Sequence, residues 1–199
     1  MEDFMRGVFF CAFCGHSSSD SPRLSSFVMK SYYDTFPIPL GDFSIAADEY
    51  GTIVATAFGD VHALQTRSRS EPPMRDAVRL RTAREQVEKY FAGSRRTFDL
   101  TLAPQGSPFQ LRVWEALRAI PFGETRSYGD LARALHSSAR AIGRANGTNP
   151  IALIVPCHRV IGTDGSLTGF AFGEDAKRRL LAHEGVEPWA SDFLAGNGV

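Results

Sequence analysis

The amino-acid sequence predicts a mixed α/β (α+β) fold: a small N-terminal β-sheet with one helix, then a mostly helical C-terminal part containing a helix-turn-helix and a buried strand. Three observations carry this. Apolar residues alternate between Tyr32 and Phe58, as in strands with one solvated face. Between Ser107 and Asn146 they recur at helical spacing behind serine caps. The unbroken apolar run IALIV, residues 151–155, then stops at Pro156, as a strand covered on both faces would.

The elements follow in order. Residues 1–30 show no sustained period, and SSSDSPRLSS has the composition of a loop or disordered tract, so this stretch is expected to be an extension with little fold. In PIPLGDFSIAADEYGTIVATAFG, Phe43 and Ile45 on one side and Ile53, Val54, Thr56 and Phe58 on the other flank a DEYG turn, which predicts a β-hairpin. A polar stretch with Pro72 and Pro73 follows. RDAVRLRTAREQVEKYFAG then places Ala77, Leu80, Ala83, Val87, Tyr90 and Phe91 on one helical face, with Gly93 to close it. RTFDLTLA returns to alternation as a further strand. The N-terminal part, 31–103, shows no cluster of side chains that suggests chemistry.

In the second part, 104–188, Ser107 and Pro108 open a helix with Phe109, Val113, Trp114, Leu117 and Ile120 inward, ended by PFG. Ser127 and Asp130 form a capping box that opens YGDLARALH. After Ser137 and Ser138 comes ARAIGRAN with Ile142 inward, the second helix of a helix-turn-helix that carries Arg140 and Arg144. Gly143 there permits close backbone approach, or serves packing. The TDG triplet within VIGTDGSLTGF reads as a hairpin-type turn. KRRLLAHEG is a last helix that Gly185 ends, which puts Glu184 where it can fold back toward PCHR; residues 189–199 form a tail.

Charge and cysteine content narrow the function classes. The formal charge is zero, yet residues 109–160 hold seven arginines against three acids, which suits a phosphate-facing surface and equally a solvated face. No apolar stretch approaches the roughly 18 residues of a membrane span. Glu2 and Asp3 sit where a signal peptide carries positive charge, so a soluble intracellular protein with no membrane partner is expected. An odd count of cysteines, Cys11, Cys14 and Cys157, suits a reducing compartment. CAFCGH offers Cys11, Cys14 and His16 as zinc ligands, but a structural site needs four and His62 is distant in sequence, so no metal is expected.

The chemistry gathers at IVPCHRVIG. A cysteine is reactive where a base, a cation or a helix N-terminus favours its thiolate, and here His158 and Arg159 follow Cys157 directly. Adjacent side chains usually diverge, so His158 need not touch the sulfur; a water can bridge them. If Glu184 takes the other imidazole N–H, the ring is fixed in the tautomer that accepts the thiol proton, and Arg159 pins the loop. The other reading of PCH alone is a core cysteine beside a satisfied histidine.

NPIALIVPCHRVIG, preceded by PFGETRSYGDLARAL and SARAIGRANGTN and followed by GSLTGF and KRRLLAHEG, closely resembles the O6-alkylguanine-DNA alkyltransferases, also called methylated-DNA–protein-cysteine methyltransferases. The likeness is strong over 104–185, and 31–103 suits that family's ribonuclease-H-like N-terminal domain. It implies a suicide repair protein that needs no cofactor. The Cys157 thiolate takes the alkyl group from O6 of a guanine extruded from double-stranded DNA, with His158 and Glu184 completing the relay. It further implies that Arg140 fills the vacated stack from a recognition helix in the minor groove. Ala139, Ala141, Gly143 and Ala145 would allow the close approach, and Arg144 would add to the DNA surface. Tyr128 would rotate the flipped nucleotide's phosphate, unless it is only a packing residue at a helix start. Asn149 would brace the turn before Pro156, and the carbonyls near Val155 and Cys157 would read the guanine's exocyclic amine. The protein would act as a monomer in the cytoplasm, with the nucleoid in a bacterium.

Two positions depart from the family's commoner pattern. Phe170 stands where many members have tyrosine, which keeps a stacking wall but lacks a donor. Phe172 stands where many have glycine, which narrows the expected pocket.

Overall fold

The computed structural model describes residues 30–67 and 73–186. The expectations for residues 1–29, including Cys11, Cys14 and His16, for Pro72 and for the tail from 187 lie outside the described residues. Strands β1 (Ser31–Ile38), β2 (Gly41–Asp48) and β3 (Ile53–Phe58) precede helix α1 (Val61–Arg67), the short strand β4 (Met74–Arg75) and helix α2 (Arg81–Phe91). Then come α3 (Pro108–Arg118), β5 (Arg126–Ser127), α4 (Tyr128–Ala134), α5 (Ala139–Gly147), a 3-10 turn (Cys157–Arg159), β6 (Val160–Ile161) and α6 (Glu174–His183).

The sheet runs β3-β2-β1-β4, antiparallel except for the parallel β1–β4 pair, and β5 pairs with β6 in parallel. The expected hairpin is the β2–β3 pair. Asp48 closes it by accepting from the N–H groups of Tyr50 and Thr52, both at 2.9 Å. It belongs to a three-stranded meander, because Pro37 in β1 lies past the end of the short β4 pairing, where a missing N–H costs little.

Three expectations are corrected. The helix begins at Arg81, not near Arg75, because Asp76 caps the turn before it by accepting from Arg79 N–H at 2.9 Å. RTFDLTLA is extended but makes only one bridge, Leu102 to Ile53. The Gln86 side chain takes the partner strand's place, bonding both N–H and C=O of Asp99. IALIV is buried throughout but is not a strand: Leu153 adopts φ 73°, and the segment folds into a turn held by single bridges, Thr56 to Ile151 and Ala152 to Val155. A run of apolar residues reports burial, not extension. Helix α1 has too few apolar positions to show in the sequence; Leu64 alone is fully buried.

The C-terminal helices form where their caps predict. Ser107 and Ser127 each make both halves of a capping box, and Ser138 caps α5. Trp114 of α3 donates its indole N–H to Ala145 O at 2.8 Å, locking α3 against α5. One hydrophobic core runs through both halves, from Phe36, Phe43 and Ile45 of the sheet through Tyr90 of α2 to Val113, Leu117, Ile142 and Leu180. No helix among the described residues is long and apolar enough to cross a membrane.

Candidate active site

The site is built on the turn that replaces the expected strand. Asn149, almost wholly buried, braces both ends of it: Nδ2 donates to Val155 O at 2.9 Å and Oδ1 accepts from Ile151 N–H at 3.0 Å. Pro156 then leads into the 3-10 turn, where Cys157 N–H donates to Val155 O at 2.8 Å and Arg159 N–H to Pro156 O at 3.0 Å. A 3-10 turn has three residues per turn, so consecutive side chains point in three directions. Cys157, 4% exposed, therefore diverges from His158 and Arg159, and both of these reach Glu184.

Glu184 is the C-cap of α6, followed by Gly185 at φ 78°. Its Oε1 accepts from His158 Nε2 at 3.0 Å, Arg159 Nη2 at 2.8 Å and Tyr90 Oη at 2.7 Å. Its Oε2 accepts from Arg159 Nε at 2.8 Å and Gly123 N–H at 3.3 Å. Arg159 also donates to Ile120 O at 2.6 Å, so it ties the turn to the end of α3. Burial alone would push the Glu184 carboxyl up; the hydrogen bonds from His158 and Arg159, with the charge of Arg159, outweigh it and hold the group far below the usual carboxylate range. Burial lowers the affinity of His158 for a proton against the pull of Glu184, which keeps the ring neutral. With Nε2 engaged, Nδ1 is buried without a hydrogen-bond partner, and it is the nitrogen left to accept a proton.

Burial also pushes the Cys157 thiol up. Opposing it are a hydrogen bond from the Asn149 side chain, the charge of Arg67, the backbone and the charge of Lys177. Arg67 comes from α1: its guanidinium donates to Asn149 O at 3.1 Å and lies 4.1 Å over the Phe172 ring. Lys177 of α6 is fully buried and donates to Val160 O at 2.5 Å and Thr168 O at 2.9 Å; burial lowers its pKa to about 8.

On the adjoining face, Ala139, Arg140 and Arg144 of α5 are exposed, while Ala141 and Gly143 are half-buried. Ala145 is buried at the floor of the groove that Arg140 and Arg144 border. Arg140 and Arg144 border a shallow groove with Phe109, Gln110 and Thr148. Tyr128, at the start of α4, donates its hydroxyl to Thr168 O at 3.3 Å and accepts from Asn146 Nδ2 at 3.3 Å. Its pKa is pushed up to about 12 by burial and the nearness of Cys157. Gly169 is required at φ 82°, where a Cβ would stand 2.5 Å from the Tyr128 hydroxyl. Phe170 is buried; Phe172 packs on Phe58 at 5.0 Å and Phe170 at 5.4 Å and lines a cleft between the two halves with Arg67 and Thr148.

The structure thus brings Cys157, His158, Arg159, Glu184, Asn149 and Pro156 into one cluster. Of the two carbonyls expected to read an exocyclic amine, that of Val155 already accepts twice, from Asn149 and Cys157. Sequence reasoning missed Arg67, Tyr90, Asn146 and Lys177. Lys177 had a signal: with Leu180, Leu181 and Glu184 it falls on the buried face of α6, where a charge needs partners.

Comparison with known proteins bears on both halves. Residues 31–104 match the ribonuclease-like domain of 6-O-methylguanine DNA methyltransferase, and residues 108–186 match its DNA binding domain. A methylated-DNA–protein-cysteine methyltransferase of Methanosarcina acetivorans is 45% identical over 159 residues, spanning 77% of this chain and 98% of the relative. The constitutive enzyme of that name from Bacillus subtilis is 42% identical over 145 residues, 71% of this chain and 87% of the relative. Among solved structures, that of Mycobacterium tuberculosis OGT in complex with DNA superposes with a TM-score of 0.69 at 42% identity, over 77% of this chain and 92% of that one. With both halves matched in order, the chain belongs to the 6-O-methylguanine DNA methyltransferase family.

Proposed function

We propose that this protein repairs DNA by taking the alkyl group of O6-alkylguanine, with O6-methylguanine and O4-methylthymine as substrates, onto Cys157 in a single irreversible turnover. The observation that carries the reading is the 3-10 turn that sends His158 and Arg159 to one buried carboxylate and leaves Cys157 beside them. Glu184 holds the Nε2–H of His158, so Nδ1, which makes no direct hydrogen bond to the sulfur, accepts the thiol proton through a water. The Sγ–carbon bond forms as the carbon–O6 bond breaks, and the electron pair returns to the purine. The proton held by His158 goes to the guanine, and the products are guanine and an S-alkylcysteine. No cofactor or metal enters this balance.

The thiolate is costly in so buried a place, and Arg67, Lys177 and the Asn149 amide offset that cost. The target base must leave its stack, and a lesion that pairs poorly is the cheaper one to extrude. Exposed Arg140 on α5 is suited to fill the gap, and Ala139, Gly143 and Arg144 to line a minor groove against phosphates. Tyr128, aimed at the Thr168–Gly169 backbone beside Cys157, is placed to turn the flipped nucleotide. With the Val155 carbonyl doubly engaged, the base's amine falls to the Cys157 carbonyl. The protein acts as a monomer on duplex DNA in the compartment that holds the chromosome, the cytoplasm in a bacterium.

The test is incubation of the wild type and Cys157→Ser with duplex DNA containing radiolabelled O6-methylguanine. The wild type should take up one label per molecule and then stop; Cys157→Ser should bind the duplex and take up none. Continued release of label into solution would contradict the reading.

A further inference from the structure

Glu184 receives a donor that neither the relay nor the Arg159 anchor requires. Tyr90 lies on α2 in the N-terminal half, fully buried, and its hydroxyl donates to Glu184 Oε1 at 2.7 Å, a charge-assisted length. It shares that oxygen with His158 Nε2 at 3.0 Å. Its ring is held on several sides, at 5.1 Å from Phe91, 5.5 Å from Phe98, 6.0 Å from Phe122 and 4.9 Å from His183, so the hydroxyl has little freedom to leave. A residue needed only to fill this space would be phenylalanine, because a buried hydroxyl needs a partner and the carboxylate already has Arg159.

We propose that Tyr90 is a positioning residue of the alkyl-transfer relay: its hydroxyl shares the negative charge of Glu184 Oε1 and so weakens that oxygen's hold on a protonated His158, keeping the imidazole a neutral base. The proposal rests on the reading of Cys157 as acceptor and His158 as its base. Each donor to a carboxylate oxygen draws charge from it, and an oxygen with fewer donors binds an imidazolium more tightly. The groups that face His158 and Glu184 are few: Arg159 and Cys157 on the same turn, Lys177 on α6, and Tyr90 from α2, with the Gly123 N–H on Oε2. Arg159 and Lys177 also disfavour the imidazolium, so Tyr90 acts in the same direction without adding a charge. The N-terminal half, through this one hydroxyl, becomes part of the reaction's acid–base apparatus.

The test is Tyr90→Phe in the full chain, which keeps the ring. The protonation of His158 is followed by NMR of its imidazole, and the rate of methyl transfer from duplex DNA is measured against pH. The pH at which His158 gains its proton should rise by roughly half a unit to one unit, the scale of one hydrogen bond expressed as a proton affinity. The acid limb of the rate profile should rise with it. The His183 resonance, beside the same ring, reports any loss of packing. In a Glu184→Gln background, Tyr90→Phe should shift nothing. An unmoved His158 titration and acid limb, or a shift that persists with Glu184→Gln, would overturn the proposal. Absence of methyl transfer to Cys157 in the wild type would instead undo the reading beneath it, and the NMR titration separates the two failures.

Discussion

Replacing Glu184 by glutamine keeps the side chain's shape and removes one charge, and the structure says how much that costs. Five donors converge on the carboxylate: Tyr90, His158, two nitrogens of Arg159 and the Gly123 N–H. An amide supplies a single acceptor oxygen, so its NH2 faces either the two donors of Oε2, Arg159 Nε and Gly123 N–H, or the three donors of Oε1. Arg159, 6% exposed, is left as a buried cation without a counter-charge, holding the Ile120 carbonyl and one amide oxygen. Removing one partner of a buried ion pair costs about 3–5 kcal/mol, a large part of the about 5–15 kcal/mol that holds a domain folded. At about 2–4 °C per kcal/mol for a chain of this size, the melting temperature should fall by roughly 6–20 °C. Thermal denaturation by circular dichroism measures it. The same carboxyl sets an acid dependence: its pKa is depressed on folding, so its stabilisation is present above the unfolded value of about 4.3 and is lost as pH falls below it. Glu184→Gln should lack that component, and Arg159→Met added to Glu184→Gln should regain part of the lost stability. A melting temperature unchanged by Glu184→Gln, at neutral pH and in acid, would refute the claim that this pair anchors the turn.

Other outcomes follow from the same contacts. Arg67→Met should raise the apparent pKa of the Cys157 thiol by roughly half a unit to one unit, read from the pH dependence of its alkylation by iodoacetamide, whereas Arg67→Lys should keep most of the effect; equal profiles would remove Arg67 from the site. Arg140→Ala should slow repair of duplex DNA by about tenfold or more, equivalent to about 1.4 kcal/mol, while sparing reaction with free O6-alkylguanine base, and equal losses on both would deny it the stack-filling role. Phe172→Gly removes a half-buried aromatic from its contacts with Phe58, Phe170 and Arg67. It should cost about 2–4 kcal/mol of stability and increase reaction with O6-benzylguanine relative to methylguanine in DNA; unchanged benzylguanine sensitivity would mean that residue 172 does not limit the pocket.

What the sequence disclosed and what it hid divide along physical lines. The C-terminal helices were legible because their boundaries are written locally, in Ser107, Ser127 and Ser138 and in Gly185. Glu184 could be paired with PCHR in advance because the helix end fixed where it stood. The conformation of IALIV was not legible: burial on all sides gives a strand and a turn the same apolar pattern, and the left-handed Leu153 is sustained by Asn149 and the surrounding core, not by its own type. Tyr90 and Arg67 were hidden for another reason. Each belongs to the N-terminal half, where a tyrosine on a buried helical face reads as core and an arginine at a helix end reads as a solvated charge. Their bonds to Glu184 and to Asn149 span long stretches of chain, and such long-range pairing leaves no periodic trace.

The proposed reaction requires the sulfur of Cys157 to be the final acceptor of the alkyl group. Peptide mass mapping after one incubation with DNA containing O6-methylguanine tests it most directly, because it distinguishes Cys157 from Cys11 and Cys14. The expected result is one methyl group in place of the thiol hydrogen on the peptide that contains Pro156, Cys157 and His158, none on the peptide bearing Cys11 and Cys14, and restored guanine in the DNA. A methyl group on any other residue, or restored guanine with an unmodified Cys157, would contradict it.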